Sequence, residues 1–368
     1  MKHFIREIAA MGTTRRQFGM GVAAAAAFAG VDTVAAAAAR PQATDDLMSV
    51  VHPQLRAAVQ QAQPLLDKDP PLTAATLAQA RSSADAMSRA QTPLPDVAFV
   101  ERWIAGRAGS PDVRIYVINA KPGLGRPGIL HTHGGGFVLG NAKNEIRRLQ
   151  GIARELDCAI VTVDYRLAPE TIWSGSIEDN YAGLKWLYAN ASSLGVDRSK
   201  IAVMGESAGG GHAALLAITA RDRGEVPLAF QCLVYPELDD RTGSTRIPPA
   251  HIGRLFWTAP KNRFAWASFL GQAPGGRVVP PAVPARVENL AGLPPTWIGT
   301  GGIDLFVEEN IAYATRLTQA GVMTELVVVP GAFHGFDLVP DLLGIEVPIV
   351  EGFKRAKIAA LREALINA

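Results

Sequence analysis

The chain has 368 residues, 48% of them hydrophobic and 19% charged, with 36 Lys and Arg against 34 Asp and Glu for a formal charge of +2. That composition excludes a disordered or collagen-like chain, and the length suits one α/β core carrying a smaller insertion. Near-balanced charge, with no basic stripe interleaved with aromatics, gives no reason to expect nucleic acid as a partner.

Residues 1–39 stand apart. Thr14-Arg15-Arg16-Gln17-Phe18 precedes a weakly apolar Gly/Ala run and the block Ala35 to Ala39. That order resembles a twin-arginine export signal with small-residue cleavage sites. A membrane anchor or an Ala-rich disordered leader are the alternatives, but Asp32 and several glycines interrupt the run short of a ~20-residue span. The expectation is export to the periplasm or beyond, with no stable membrane span in the mature chain. Lys2, Arg6, Arg15 and Arg16 against Glu7 and Asp32 give this leader the whole chain's excess of +2, so the rest is near neutral. Cys158 and Cys232 both lie in apolar strand-like runs, which reads as two buried free thiols rather than a disulfide or metal pair.

From Asp45 to about Met87 the text is helical in character, and Pro64, Pro70 and Pro71 are expected to cut it into short helices. We take residues 45–95 as an N-terminal helical arm and 96–368 as the core. Val113 to Ile118 alternates as a strand, and the Pro/Gly turn 121–128 follows it, the antiparallel edge of a larger sheet. Then come short apolar runs at Gly128 to Thr132, Ala159 to Val163, Ile201 to Met204, Ala229 to Tyr235, Thr296 to Gly299 and Thr324 to Val329. Helical stretches such as Ile177 to Ser192 and Glu308 to Ala320 separate them, which indicates a parallel sheet buried on both faces. Residues 239–285 break the alternation with Phe256, Trp257, Phe264, Trp266 and Phe269 among many prolines. Aromatics at that density are wasted in water, so the segment reads as an inserted lid rather than a long surface loop.

The strongest chemical signal is Gly205-Glu206-Ser207-Ala208-Gly209, an apolar strand running through Gly-x-Ser-x-Gly into an Ala-rich helix. Such a strand-turn-helix setting lifts the Ser207 hydroxyl above the sheet edge, where the helix start offers free N–H groups and a positive dipole end. A second signal, His131-Thr132-His133-Gly134-Gly135-Gly136-Phe137, also follows an apolar strand. Its glycines allow backbone N–H groups to converge, and we assign Gly134, Gly135 and Ala208 as donors to an oxyanion. The spacing fits neither a dinucleotide-binding nor a Walker pattern.

Of seven histidines, His334 just past the last strand is the candidate base. His3 lies in the leader, His52 in the arm and His251 in the lid. His131 and His133 flank the glycine loop and brace it, and His212 follows Ser207 on the helix, directed away from the hydroxyl. Asp304, after the preceding strand, is the candidate for orienting the imidazole. Glu308 and Glu309 are its nearest rivals, placed where a helix should already have begun, and Glu206 reads as structural. Phe137, Phe256, Trp257 and Trp266 are candidate substrate-binding residues, with core packing as the alternative for the lid aromatics.

Taken together, the chain resembles the hormone-sensitive-lipase-like branch of the α/β-hydrolase esterases. The likeness runs from about His52 to Asp337 through six motifs in order: His133-Gly134-Gly135-Gly136-Phe137, Asp164 to Glu170, Gly205 to Gly210, Leu293-Pro294-Pro295, Asp304 with Glu308-Glu309, and His334-Gly335-Phe336. It implies an α/β-hydrolase fold with a mostly parallel eight-stranded sheet flanked by helices. It also implies a helical lid built from the arm and from residues 239–285, no metal or other cofactor, and small carboxylic esters with short to medium acyl chains as substrates. In that strand order Cys158 and Cys232 lie on non-neighbouring strands. Two departures bear on pocket shape: Glu206 stands where the family commonly has Asp, and Thr171 to Ser176 replaces a proline-rich stretch. An amidase, lactonase or deacetylase would use the same groups, a non-catalytic ligand-binding relative would be expected to lack one of them, and a homodimer is compatible with the sequence.

Overall fold

The computed structural model describes residues 47–89, 92–278 and 281–367. Residues 1–39, read from the sequence as an export leader, lie outside them. No described helix is long and apolar enough to cross a membrane.

Eight strands form one sheet: β1 (Phe99–Ile104), β2 (Val113–Ile118), β3 (Arg126–Thr132), β4 (Ala159–Asp164), β5 (Val196–Glu206), β6 (Phe230–Val234), β7 (Thr296–Gly301) and β8 (Thr324–Val329). Their order is β1-β2-β4-β3-β5-β6-β7-β8. β1 and β2 pair antiparallel, β2 joins β4 antiparallel, and every later pairing is parallel. The apolar runs read as strands are the strands observed.

Successive side chains of a strand point to opposite faces, so a strand buried on both sides must be apolar throughout. Leu130, Val161, Val203, Leu233 and Ile298 accordingly enter one core, under the helices Trp173–Ala189, Ala208–Arg223 and Val307–Gln319. Their neighbours Ile129, Ile160, Ala202, Cys232 and Trp297 enter the other, under Ile146–Glu155 and Pro348–Arg362. Both cysteines are free and buried, with β3 and β5 lying between β4, which follows Cys158, and β6, which carries Cys232. Burial pushes each thiol up to about 12.

Two local expectations need correction. Pro64 does not break its helix, which runs Arg56–Leu66; the proline sits in the last turn on the exposed side, where water can serve the carbonyl that its missing N–H leaves free. The helix expected over Ile177 to Ser192 runs Trp173–Ala189, so Trp173 to Ser176 form its first turn. Residues 239–285 hold the α-helix Ala259–Leu270 and the start of a 3₁₀ helix, Pro284–Arg286, among turns and irregular chain.

Candidate active site

Because β3, β5, β7 and β8 run parallel, the loops at their carboxyl ends meet on one edge of the sheet. Ser207 follows β5 directly, with φ 57° and ψ −125°, at the N-cap of the helix Ala208–Arg223. A non-glycine residue in that region is strained and persists only if its surroundings hold it. They do: its N–H donates to Val234 O at 2.9 Å, while its carbonyl accepts from Gly211 N at 2.9 Å and Glu237 N at 3.0 Å. The turn also needs bare backbone on both sides. A Cβ on Gly205 would strike the Gly209 carbonyl, and one on Gly209 would strike the Thr132 carbonyl.

His334 lies in the turn after β8, its Nε2 2.8 Å from Ser207 Oγ and its Nδ1 2.9 Å from Asp304 Oδ2. The geometry fits the tautomer in which Nδ1–H donates to the carboxylate and Nε2 accepts from the hydroxyl. Asp304 is fully buried, and its other oxygen accepts from Phe306 N at 2.9 Å. Tyr235 and Phe306 meet the imidazole ring edge-on at 4.8 and 5.0 Å. Of the two rivals, Glu308 is on the exposed side of the helix Val307–Gln319, and Glu309 turns inward to accept from Leu238 N at 2.6 Å.

The N–H groups of Gly134, Gly135 and Ala208 have no acceptor among the described residues. Each belongs to a planar peptide whose carbonyl, pointing the opposite way, is anchored. The His133 carbonyl accepts from Tyr165 OH at 2.7 Å, the Gly134 carbonyl from His133 Nδ1 at 2.8 Å, and the Ser207 carbonyl as above. The His133 ring stacks on Tyr165 with centroids 4.1 Å apart, and burial holds its pKa below the usual value, so it is a neutral donor to that carbonyl. Gly134 packs against the nucleophile turn, since a Cβ there would lie 3.5 Å from Ser207 Cβ.

Beneath the elbow a polar ladder crosses three strands. His131 Nε2 lies 2.9 Å from Glu206 Oε2 and its Nδ1 2.9 Å from Thr162 Oγ1, while Arg148 grips both Glu206 oxygens and also Glu145. Burial would push the Glu206 carboxyl up, but Arg148 and His131 hold it well below the usual range, so it is an ion locked in the fold. His212 is fully buried among Phe137, Tyr165 and Phe269, and burial pushes its pKa down to about 3. Glu237, beside the Ser207 carbonyl, is buried with no partner for its carboxyl among the described residues. Burial, then Glu309 and Asp304, push its pKa well up.

The model of a family described as alpha/beta hydrolase fold matches residues 129–338. The chain belongs to this α/β-hydrolase family, as an enzyme of that superfamily. The match bears out the hormone-sensitive-lipase-like resemblance. Esterase LipI of Mycobacterium tuberculosis is 36% identical over 244 residues, covering 66% of this chain and 76% of that protein. Carboxylesterase NlhH of the same organism is 34% identical over 276 residues, covering 74% and 84%. Among solved structures, a bacterial heroin esterase superposes with a TM-score of 0.77 at 37% identity, covering 86% of this chain and 98% of that one.

The four aromatic candidates separate. Trp257 lies against the glycine loop, where a Cβ on Gly136 would collide with its indole, and its ring centroid is 6.4 Å from that of His334. Phe137, Trp266 and Phe269 pack on one another in the core, and Phe256 stacks on Phe333 at 4.9 Å. Tyr165, Arg148, Thr162 and Glu237 were not singled out from the sequence. Tyr165 alone carried a signal, its place in Asp164 to Glu170.

Proposed function

We propose that the protein is a serine carboxylesterase acting on small esters with short to medium acyl chains, with Ser207 as nucleophile, His334 as base and Asp304 as its orienting carboxylate. The observation that carries this reading is the continuous hydrogen-bond chain from Ser207 Oγ through both nitrogens of His334 to Asp304. The names of the similar proteins, esterases and carboxylesterases, support the choice of scissile bond.

Ser207 Oγ attacks the acyl carbon as His334 Nε2 takes its proton, and Asp304 stabilises the imidazolium that results. The carbonyl oxygen becomes an oxyanion, which the N–H groups of Gly134, Gly135 and Ala208 receive without reorganising, because their peptides are already anchored. His334 returns the proton to the leaving alcohol, and water repeats the sequence on the acyl-enzyme.

Ser207→Ala in folded protein should abolish turnover of p-nitrophenyl acetate, by roughly 10⁴-fold or more. Retention of a tenth of the activity rejects the assignment. A panel of esters of graded acyl length, with an amide and a lactone beside them, sets the substrate class.

We further propose export through the leader containing Arg15 and Arg16. Changing both arginines to Lys should keep the protein out of the periplasm, and unchanged delivery rejects the twin-arginine route.

A further inference from the structure

Three residues of the glycine loop have positive φ: Gly135 at 120°, Gly136 at 57° and Phe137, which is not a glycine, at 62°. Part of what restrains the loop comes from outside the residues matched by the family model, from the N-terminal helix Leu77–Arg89. Arg81 and Asp85 are four residues apart and so share one face of that helix. Arg81 Nε donates to the Val138 carbonyl at 2.8 Å and Nη2 to the Ala168 carbonyl at 2.8 Å. The same guanidinium meets the Glu170 carboxylate at 2.7 and 2.8 Å. Asp85 accepts from the Asn141 amide at 2.7 Å and the Asn144 amide at 3.3 Å, just past the loop.

These contacts bracket the loop. The Phe137 carbonyl is already tied to Ala168 N at 3.0 Å, and the Gly135 carbonyl receives Leu139 N at 2.8 Å. Binding the carbonyls of Val138 and Ala168 to one rigid plane therefore closes a frame of which the Gly134 and Gly135 peptides are the free edge. A guanidinium can do this because its donors are fixed relative to one another, whereas an ammonium is a point charge on a flexible stem.

We propose that Arg81 is a positioning residue for the oxyanion loop, a clamp lent by the N-terminal arm that keeps the Gly134 and Gly135 donors aimed at the reacting carbonyl oxygen. The proposal rests on the acyl-transfer reading given above. Arg81 does not touch the reacting atoms, so its removal should weaken the transition state and leave substrate binding alone. The Arg81 side chain is 27% exposed and that of Glu170 63%. Losing the arginine therefore strands no buried charge, and the fold should persist.

The test uses the full chain with Arg81→Ala, Arg81→Lys and Glu170→Gln, turnover of p-nitrophenyl acetate, and active sites counted with a fluorophosphonate. A short alkyl trifluoromethyl ketone, whose serine adduct carries an oxyanion, reports the donors independently of turnover. For Arg81→Ala we expect kcat per active site to fall by about 10- to 100-fold, with KM within about twofold and the ketone's Ki weakened by a similar factor. Arg81→Lys should recover only a minor part, and Glu170→Gln should stay within about threefold of the parent, because the carbonyl contacts survive.

An unchanged per-site kcat and ketone Ki in Arg81→Ala overturns the clamp, even if fewer sites titrate, since a merely structural role lowers only their number. Parental values in Arg81→Lys also overturn it, by showing that charge suffices, and so does an equal loss in Glu170→Gln, by assigning the effect to the ion pair. If Ser207→Ala stays active the underlying reading has failed. If Ser207→Ala is dead and Arg81→Ala is normal, the clamp alone has failed.

Discussion

The edge of the sheet that carries Ser207 and the inserted segment 239–285 are held together by different means. Around Ser207 the restraints come mostly from the backbone: strand ladders, carbonyls anchored behind free N–H groups, and glycines that let a helix lie against two strand ends. The inserted segment adds side-chain pairs to its own turn hydrogen bonds. Asp239 pairs with Arg241 and Arg246, and Asp240 with Arg286. Asn262 accepts from Trp257 Nε1 at 3.1 Å and donates to the Thr242 carbonyl at 2.8 Å, while Lys261 bonds to Asp69 of the arm. A site built on backbone tolerates little change at a few positions, and a segment tied by side-chain pairs can be rebuilt by substitution. The first should set the chemistry and the second the range of substrates.

The largest effect that sharpens this contrast is expected at Asp304. Asp304→Asn keeps the shape but removes the charge that selects the Nδ1–H tautomer, and kcat should fall by about 10³- to 10⁴-fold with little change in melting temperature. A loss below tenfold would mean that the carboxylate, though 2.9 Å from His334, does not govern the base.

A second prediction concerns Glu237, where the two regions join after β6. Its raised pKa makes it a neutral acid in the fold, whereas in the unfolded chain it ionises near the ordinary glutamate value. The unfolded state then binds fewer protons over that window, so this residue's contribution to stability is fully present below about pH 4.5 and is lost as pH rises towards the folded value. Glu237→Gln removes that dependence. Measured against the parent, its melting temperature should gain steadily from pH 5 to pH 8. A constant difference across that range would show that the carboxyl is ionised in the fold.

How much could be read from the sequence follows the same division. The placing of Ser207, Asp304 and His334 was legible because each comes within a few residues of the end of an apolar run, and parallel strands bring such ends to one edge whatever the loops between them do. Gly134, Gly135 and Ala208 were legible because glycine and a helix start mark where N–H groups stay free. Arg81, Asp85 and Glu237 were not, because a polar residue in a helix or a loop looks the same whether it meets water or a carbonyl 57 residues away, as Arg81 meets that of Val138. The aromatic candidates show the same limit. Their density announced a buried segment, yet only contacts remote in sequence decide that Trp257 faces the glycine loop while Trp266 faces Phe137.

Of the rate effects at Asp304 and Trp257, the smaller belongs to Trp257, and it tests the inserted segment directly. Its indole lies on Gly136 and near His334, beside the proposed oxyanion donors, so it limits the room available to one side of a bound ester. Replacing it by Ala does not touch the Ser207, His334 and Asp304 chain, and kcat on p-nitrophenyl acetate should change by less than about tenfold. Each methylene newly buried in an apolar pocket is worth about 0.8 kcal/mol, or roughly fourfold. The ratio of kcat/KM for p-nitrophenyl octanoate over acetate should therefore rise at least several-fold in Trp257→Ala. A ratio within twofold of the parent would place the indole outside the substrate's reach. A collapse of kcat on the acetate to the level of Asp304→Asn would instead show that the cover and the chemistry are not separable.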